Sequence, residues 1–460
     1  MAQMKLPDGP QTPTLLQLIR WITGPLEFME TCANRYGDCF TAKIGGSATY
    51  VFFSNPQAIE KIFTAEPKQF GVYTILRPTV GDNSLIVLDG DRHQQQRQLL
   101  MPPFHGERMR AYGQLICQIT EQVTNQWVEG SHITARPFMQ EISLQVILQA
   151  VFGLNQGQRC QQLKPLLTSL LNFTTSPLIF SLAFFPALMQ DLGPLSPGRY
   201  FVRRKQKIDQ LIYAEIHERR EHLDPSRSDI LTLLMSARDE AGKPMTDQEL
   251  RDELITLLLA GHETTSIALT WALYWIHYLP EVKEKLLKEL DTLGNDPDPS
   301  AITRLPSLNA VCSETLRIYP IVLITTPRIL KSPLHLMGYE FEPGTILAPC
   351  VYLTHRREDL YPQPEQFKPE RFLERQFSPY EYLPFGGGNR RCIGAAFALY
   401  EMKLVLAKIL SNFDLVLVDN HPVKPTRRGV TMAPAGNVKM VFKGRRQRKE
   451  NTSQPTASLV

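Results

Sequence analysis

The stretch from Thr246 to Leu279 sets the tightest limit on what this chain can fold into. Thr246-Asp247-Gln248-Glu249 has the form of a capping box, in which the Thr hydroxyl caps the Glu amide and the Glu carboxylate reaches back. The helical pattern then runs to about Leu279, where Pro280 can open the next helix. At ~1.5 Å per residue such a helix is about 50 Å long, enough to cross a whole protein. Its midpoint reads Ala260-Gly261-His262-Glu263-Thr264-Thr265, between LITLLL and SIALTWALYW. A mid-helix Gly costs about 1 kcal/mol relative to Ala, and polar groups in an otherwise buried helix need partners. Two readings follow. One is a kink whose Thr hydroxyls bond the carbonyls four residues back. The other is a local groove at Gly261 where a small polar ligand and a proton path meet.

The rest of the chain supplies the cover such a helix needs. Residues 38–54 alternate and contain Gly45-Gly46, which predicts a β-hairpin. Residues 105–320 are mostly helical in period. Residues 321–354 read as short strands, 355–386 as irregular Pro-rich chain, and one more helix follows Cys392. Long helices with short, scattered strands exclude a doubly wound sheet or a β-sandwich. They predict a mainly α fold with small β-sheets, one large domain over residues 1–442 with a basic, disordered tail over 443–460. That tail carries Lys443, Arg445, Arg446, Arg448 and Lys449 against Glu450, which accounts for the whole net charge of +4. The charge is therefore no nucleic-acid footprint. With 460 residues, 43% of them apolar, the chain has ample core and needs no disulfide or metal staple. Seven cysteines without a C-x-x-C pair argue against a disulfide framework or a zinc site and for a reducing compartment. The N-terminal residues show neither a signal peptide nor a transmembrane anchor. The charge-free run Pro165–Gln190 is long enough to span a bilayer, but Pro177 and Pro186 interrupt it and Asn172, Thr174, Thr175 and Ser176 dilute it. It reads as two short helices.

Two further motifs carry charge. In LNAVCSETLRIYP, Glu314 and Arg317 share a helix face, and Arg371 in PERF could complete a buried triad with them. Residues 385–394 read Phe-Gly-Gly-Gly-Asn-Arg-Arg-Cys-Ile-Gly, followed by the amphipathic AAFALYEMKLVLAKIL. The glycines allow the backbone to approach something flat and large. Cys392 precedes a helix N-terminus beside Arg390 and Arg391, features that lower a thiol pKa. A thiolate there, with no neighbouring Cys or His, suits a single axial bond to a haem iron. A buried inert Cys, the fate expected of the other six, and a nucleophile with a distant His base stay open at this level.

In order and separation, the F-x-x-G-x-R-x-C-x-G run, the A-G-x-E-T-T run and the E-x-x-R helix make the chain similar to the haem-thiolate monooxygenases, the cytochrome P450 family. The similarity spans about Leu6 to Val441. It implies haem b (iron protoporphyrin IX) with Cys392 as metal ligand. Thr264 would hydrogen-bond dioxygen or its water, and Glu263 would belong to the proton route. His93, Arg97, Arg328 and Arg390 would meet the haem propionates; many relatives carry Trp where this chain has His93. Glu314, Arg317 and Arg371 would be structural. The implied reaction inserts one oxygen atom of O2 into a hydrophobic substrate, with electrons from a separate ferredoxin or flavodoxin and its reductase, since no G-x-G-x-x-G fingerprint occurs. Arg390, Arg391 and Lys403 could form the docking patch.

The segments that would line the pocket by analogy are almost all apolar. They point to a long-chain fatty acid, with an alkane or terpene as alternatives, and Tyr73 and Arg77 could hold a carboxylate. The general look resembles bacterial, especially cyanobacterial, fatty-acid hydroxylases. The expected location is the cytoplasm, at most peripheral at a membrane surface. A haem sensor or carrier without turnover is the rival class, but it would need no Glu263-Thr264 relay. A haem-free cysteine hydrolase or transferase would be colourless. A peroxide-driven hydroxylase would usually replace the acid–alcohol pair that this chain keeps.

Overall fold

The capping box forms as the sequence predicts. Glu249 N–H donates to Thr246 Oγ1 at 3.2 Å and Thr246 N–H donates to Glu249 Oε2 at 2.9 Å. From it the helix Asp247–Tyr278 runs unbroken, and Pro280 opens the next helix, Pro280–Asp291. This is a computed structural model, and it describes residues 6–44, 48–106, 108–154, 157–182, 190–193, 196–222, 224, 226–294 and 296–447. The helices Ala135–Phe152, Ala395–Asn412, Pro306–Ile318 and Pro197–Glu221, with the strand Thr431–Pro434, pack around the long helix. It is buried along most of its length, as an all-round apolar helix must be.

Gly261 does not break it. A Cβ there would stand 2.8 Å from Ile147 Cδ1, so the glycine lets the helix Ala135–Phe152 approach closely. The hydroxyls do back-bond, Thr264 Oγ1 to Ala260 O at 2.6 Å and Thr270 Oγ1 to Ser266 O at 2.7 Å.

The largest sheet has five strands in the order Cys39–Lys43, Thr49–Phe53, Ile346–Pro349, Arg328–Leu330, Phe70–Val72. The predicted hairpin is its antiparallel edge; the Gly45-Gly46 turn lies outside the described residues. Tyr50 and Phe52 pack into one apolar cluster with Trp21 and Phe28, whereas Val51 and Phe53 pack into another with Ile59 and Phe341. Both faces of this strand are covered, so it reads TYVFF with no polar alternation. The remaining sheets have two or three strands each. The charge-free run forms the end of the helix Gln158–Thr175 and the short helix Pro177–Leu182, while residues 183–189 lie outside the described residues. Among the described residues, no helix is long and apolar enough to cross a membrane.

The expected boundary at 442/443 falls inside a strand. Lys439–Arg445 pairs with Phe413–Leu417 through Arg445, and Arg446 donates to Asp291 Oδ2 at 2.6 Å. Read along the chain, the basic residues look like a tail, but backbone pairing and one half-buried acid tie the first of them down. Residues 448–460 lie outside the described residues.

The predicted triad is real. Arg317 Nε and Nη2 donate to the two oxygens of Glu314 at 2.6 and 2.9 Å, and Arg371 Nε donates to Glu314 Oε1 at 3.2 Å. Glu314 and Arg317 are fully buried.

A second buried acid, Glu401, lies on the helix Ala395–Asn412 with one carboxyl oxygen unpartnered. Burial pushes its carboxyl from an ordinary 4.5 up to about 8, against a hydrogen bond from Ser143. Between these values the folded state holds a proton that the unfolded chain has released, so this group's contribution to stability falls as pH rises, by at most about 1.4 kcal/mol per pH unit. Glu401→Gln is therefore expected to flatten the decline in urea midpoint between pH 5 and 8. An undiminished decline would show that Glu401 ionises freely in the fold.

Candidate active site

Between the middle of the long helix and the cysteine loop lies a cavity of about 1740 Å³, its open mouth included. The helix contributes Ala260, Gly261, Thr264, Thr265 and Ala268, residues three and four apart that share one face. The loop contributes Phe385 to Gly387 and Arg390 to Gly394. Leu85, Ile86, Phe104, Leu316, Ile321 and Val322 make other parts of the wall apolar.

Cys392 is deeply enclosed yet exposed, because its exposure is to this cavity. The other six cysteines are free and buried. Burial pushes Cys39, Cys312 and Cys350 up to about 12, leaving them inert thiols. The expected lowering of the Cys392 pKa is not what the structure gives. Burial dominates and raises it, and the Gly394 amide, Arg97 and Arg391 only partly oppose that rise. A coordinated metal ion would supply the missing term, since it deprotonates a thiol outright. Among the described residues no group of three or more His, Cys, Asp or Glu could hold a metal, so a metal here needs most of its ligands from a cofactor.

The loop glycines also make close contacts outside the cavity. A Cβ on Gly387 would lie 2.2 Å from the Phe63 ring, and Gly388, at φ 63°, would meet the Phe63 carbonyl at 2.5 Å. They fit the loop onto the helix Pro56–Thr64, and only Gly386, Gly387 and Gly394 also line the cavity.

Four predicted residues converge on one part of the wall: His93, Arg97, Arg328 and Arg390 all line the cavity. Arg328 donates to the carbonyls of Ile62 at 2.7 Å and Gly387 at 3.3 Å. Arg390 donates to Leu85 O at 3.2 Å and to Leu88 O. Burial brings both guanidinium pKa values down to about 10. Burial, reinforced by Arg390, Arg97 and Arg328, drops His93 to about 3 and keeps its imidazole neutral. None of the four has a carboxylate within ion-pair distance among the described residues. Arg328 is buried and Arg97 and Arg390 are half-buried, and cations gathered this way without counter-ions are costly unless an anion arrives. A large, mostly apolar group with carboxylates at one edge and a thiolate-binding metal fits this cavity, and haem is such a group.

Fold and site thus define a haem-thiolate protein. The cytochrome P450 family model matches residues 7–441. Cytochrome P450 135B1 of Mycobacterium tuberculosis is 35% identical over 464 residues, covering 99% of this chain and 95% of that protein. Cytochrome P450 138 of the same organism is 32% identical, covering 96% and 97%. In structure, the chain is similar to retinoic acid-bound cyanobacterial CYP120A1 (TM-score 0.82, 24% identity, 96% and 100% covered) and to the cytochrome P450DA heme domain (TM-score 0.81, 22% identity, 96% and 98% covered). The chain belongs to the cytochrome P450 family; it is a monooxygenase, and its cofactor is haem.

Other expected residues are placed differently. Glu263 does not line the cavity. Its carboxylate is buried against the helix Ala135–Phe152, accepting from Arg136 at 2.7 Å and Gln140 at 2.9 Å, with Arg428 Nε at 3.8 Å. Arg77 is spent on Asp82 in an exposed pair at 2.8 Å, and Tyr73 meets Tyr50 edge-on, so neither is set to hold a substrate carboxylate in the cavity. The expected docking patch is dispersed. Arg390 turns inward to Leu85 and Leu88, Lys403 is half-buried with its ammonium 3.4 Å from Thr303 O, and Arg391 alone of the three is exposed.

Sequence reasoning missed Arg136 and Gln140, whose i,i+4 spacing gave only a weak signal. It also missed Glu253. That residue lines the cavity with Oε1 accepting from Leu85 N–H at 2.8 Å and Gln96 Nε2 at 3.1 Å. Burial pushes its carboxyl up to about 8, so it tethers the loop before His93 as a neutral acid.

Proposed function

We propose that this monooxygenase hydroxylates a long-chain fatty acid, with Cys392 as the axial iron ligand and His93, Arg97, Arg328 and Arg390 holding the haem carboxylates. The observation that carries this is the apolar part of the cavity wall, Leu85, Ile86, Phe104, Leu316, Ile321 and Val322, in the same cavity as the Thr264 hydroxyl and the Cys392 thiol. Bound haem supplies two-electron activation of dioxygen, one oxygen going to substrate and the other to water. The chain's own residues exclude water, orient the substrate and hold protons. Thr264 Oγ1 now donates to Ala260 O, and a hydroxyl so held can turn to a second acceptor within the cavity. Glu263 lies just behind that wall and serves the same route from the Arg136 side. Electrons come from a separate ferredoxin or flavodoxin approaching near Arg391. Seven free thiols suit a reducing, cytoplasmic setting.

The test is a panel of C12 to C18 fatty acids, alkanes and terpenes, scored by the low- to high-spin shift and by product formed with a surrogate ferredoxin and reductase. Shifts and products from terpenes or alkanes alone would replace the fatty-acid reading. Thr264→Ala is expected to lower product formation by about 100-fold, the low end for a lost proton-transfer group. Reductant consumption should persist, because the electron route does not use that hydroxyl.

A further inference from the structure

Arg427 is a half-buried cation that the reaction described above does not use. It lies on the strand Pro425–Arg428, directly opposite Met432 on Thr431–Pro434. Met432 N–H donates to Ile321 O at 2.8 Å, and Ile321 lines the cavity. Two strand spacings, about 10 Å, therefore separate the Arg427 backbone from the cavity wall. Residues directly opposite in an antiparallel pair share a face, and Met432 packs in the cluster that contains Trp21.

The guanidinium carbon of Arg427 is 4.6 Å from the Trp21 ring centre and 5.5 Å from that of Phe180, both buried rings. Its Nε is buried without a hydrogen-bond partner. No carboxylate comes within ion-pair distance among the described residues, and burial holds its pKa down to about 10. Outside the cavity wall, the buried arginines are matched: Arg219 to Glu215 and Asp229, Arg251 to Asp252, Arg317 and Arg371 to Glu314. Even its neighbour Arg428 reaches Thr175 and Glu263. Aromatic faces compensate a desolvated cation in part, but they give a guanidinium no hydrogen-bond acceptor. Phe180 itself belongs to the charge-free run Pro165–Gln190, so that side of the box brings no acid. No acid among the described residues completes the box.

We propose that Arg427, between Trp21 and Phe180, binds the carboxylate of the substrate and leaves its hydrocarbon end to the wall bearing Thr264. The proposal rests on the acid-substrate reading above and names the residue that recognises the acid. A planar guanidinium pairs bidentately with a carboxylate and not with an ester or an alkane. Anchoring one end fixes which carbons reach the reacting position.

The test titrates spin state in the haem-loaded enzyme with two acid/methyl-ester pairs, hexadecanoic acid and a terpenoid acid, for wild type, Arg427→Leu and Arg427→Lys. In wild type at least one acid should bind 10-fold or more tighter than its ester. Arg427→Leu should lose that preference by weakening the acid alone and should spread the positions oxidised, while Arg427→Lys keeps part of it. The reduced carbon monoxide spectrum should stay unchanged, and Arg427→Gln replaces the Leu variant if that fails to load haem. An unchanged acid-to-ester ratio in the variants, equal weakening of both, or no acid preference in wild type overturns the anchor. If only the terpenoid acid shows the Arg427-dependent preference, the anchor stands and the fatty-acid reading falls.

Discussion

Cys392→Ser is expected to remove the strongly red-shifted Soret band of the reduced carbon monoxide complex and to lower turnover by more than about 100-fold. That figure is the upper end for losing a mere outer partner of a metal ligand, and Cys392 is proposed as the ligand itself. The thiol's position explains the size of the effect. It is the single cysteine opening into the cavity, its amide is fixed by donating to Phe385 O at 2.9 Å, and no group of three ligands stands ready to replace it among the described residues. A hydroxyl in its place is a poor donor of electron density to iron, and strong donation is what favours O–O cleavage. The measurements are the reduced carbon monoxide difference spectrum and product formation. Wild-type spectrum and turnover in the Ser variant would remove the thiolate from the chemistry.

Arg317→Ala is expected to destabilise the fold by about 3–5 kcal/mol, because it strands the buried Glu314 carboxylate. It also unpairs the carbonyls of His355, Pro364 and Gln366, to which Arg317 donates at 2.8, 2.9 and 3.2 Å. Glu314 would keep Arg371 at 3.2 Å and the Lys368 amide at 2.7 Å, which moderates the loss. Against a typical total of 5–15 kcal/mol this is a large share. The damage should reach the site, because His355 connects the two. Its Nδ1 lies 3.2 Å from Arg317 O, and its Nε2 accepts from Leu383 N–H at 2.8 Å, next to the cysteine loop. Burial lowers the His355 pKa to about 3, so the ring stays neutral and able to accept. The urea midpoint should fall with an unchanged slope, and haem loading should fall with it. A loss under about 1 kcal/mol would mean that the pair behaves as a solvated surface bridge.

These two residues also show what kind of information the sequence carries. Both lie in motifs whose members are near neighbours along the chain, where helical spacing alone sets which side chains meet. Arg371 is distant in sequence, yet its place with Glu314 followed from the need of a buried charge for partners. Arg390 was expected at both the haem edge and the docking surface, and the structure turns it toward the cavity. The carbonyls of Leu85 and Leu88 hold it inward, and nothing local to the cysteine loop announces them.

The sequence by itself determined the capped central helix, the mainly helical class, the Glu314–Arg317 pair and the lone thiol before a helix start. Each depends on spacing within a few turns of one segment, which backbone geometry converts directly into position. The tertiary structure alone decided that the Cys392 thiol is raised by burial, that Glu263 faces Arg136 and Gln140, that Gly261 makes room for Ile147, and that Arg427 lies between two rings with no acid beside it among the described residues. Burial and charge pairing are set by groups brought together from distant parts of the chain, and the free energy of an ionisable group depends on that surrounding far more than on its sequence neighbours.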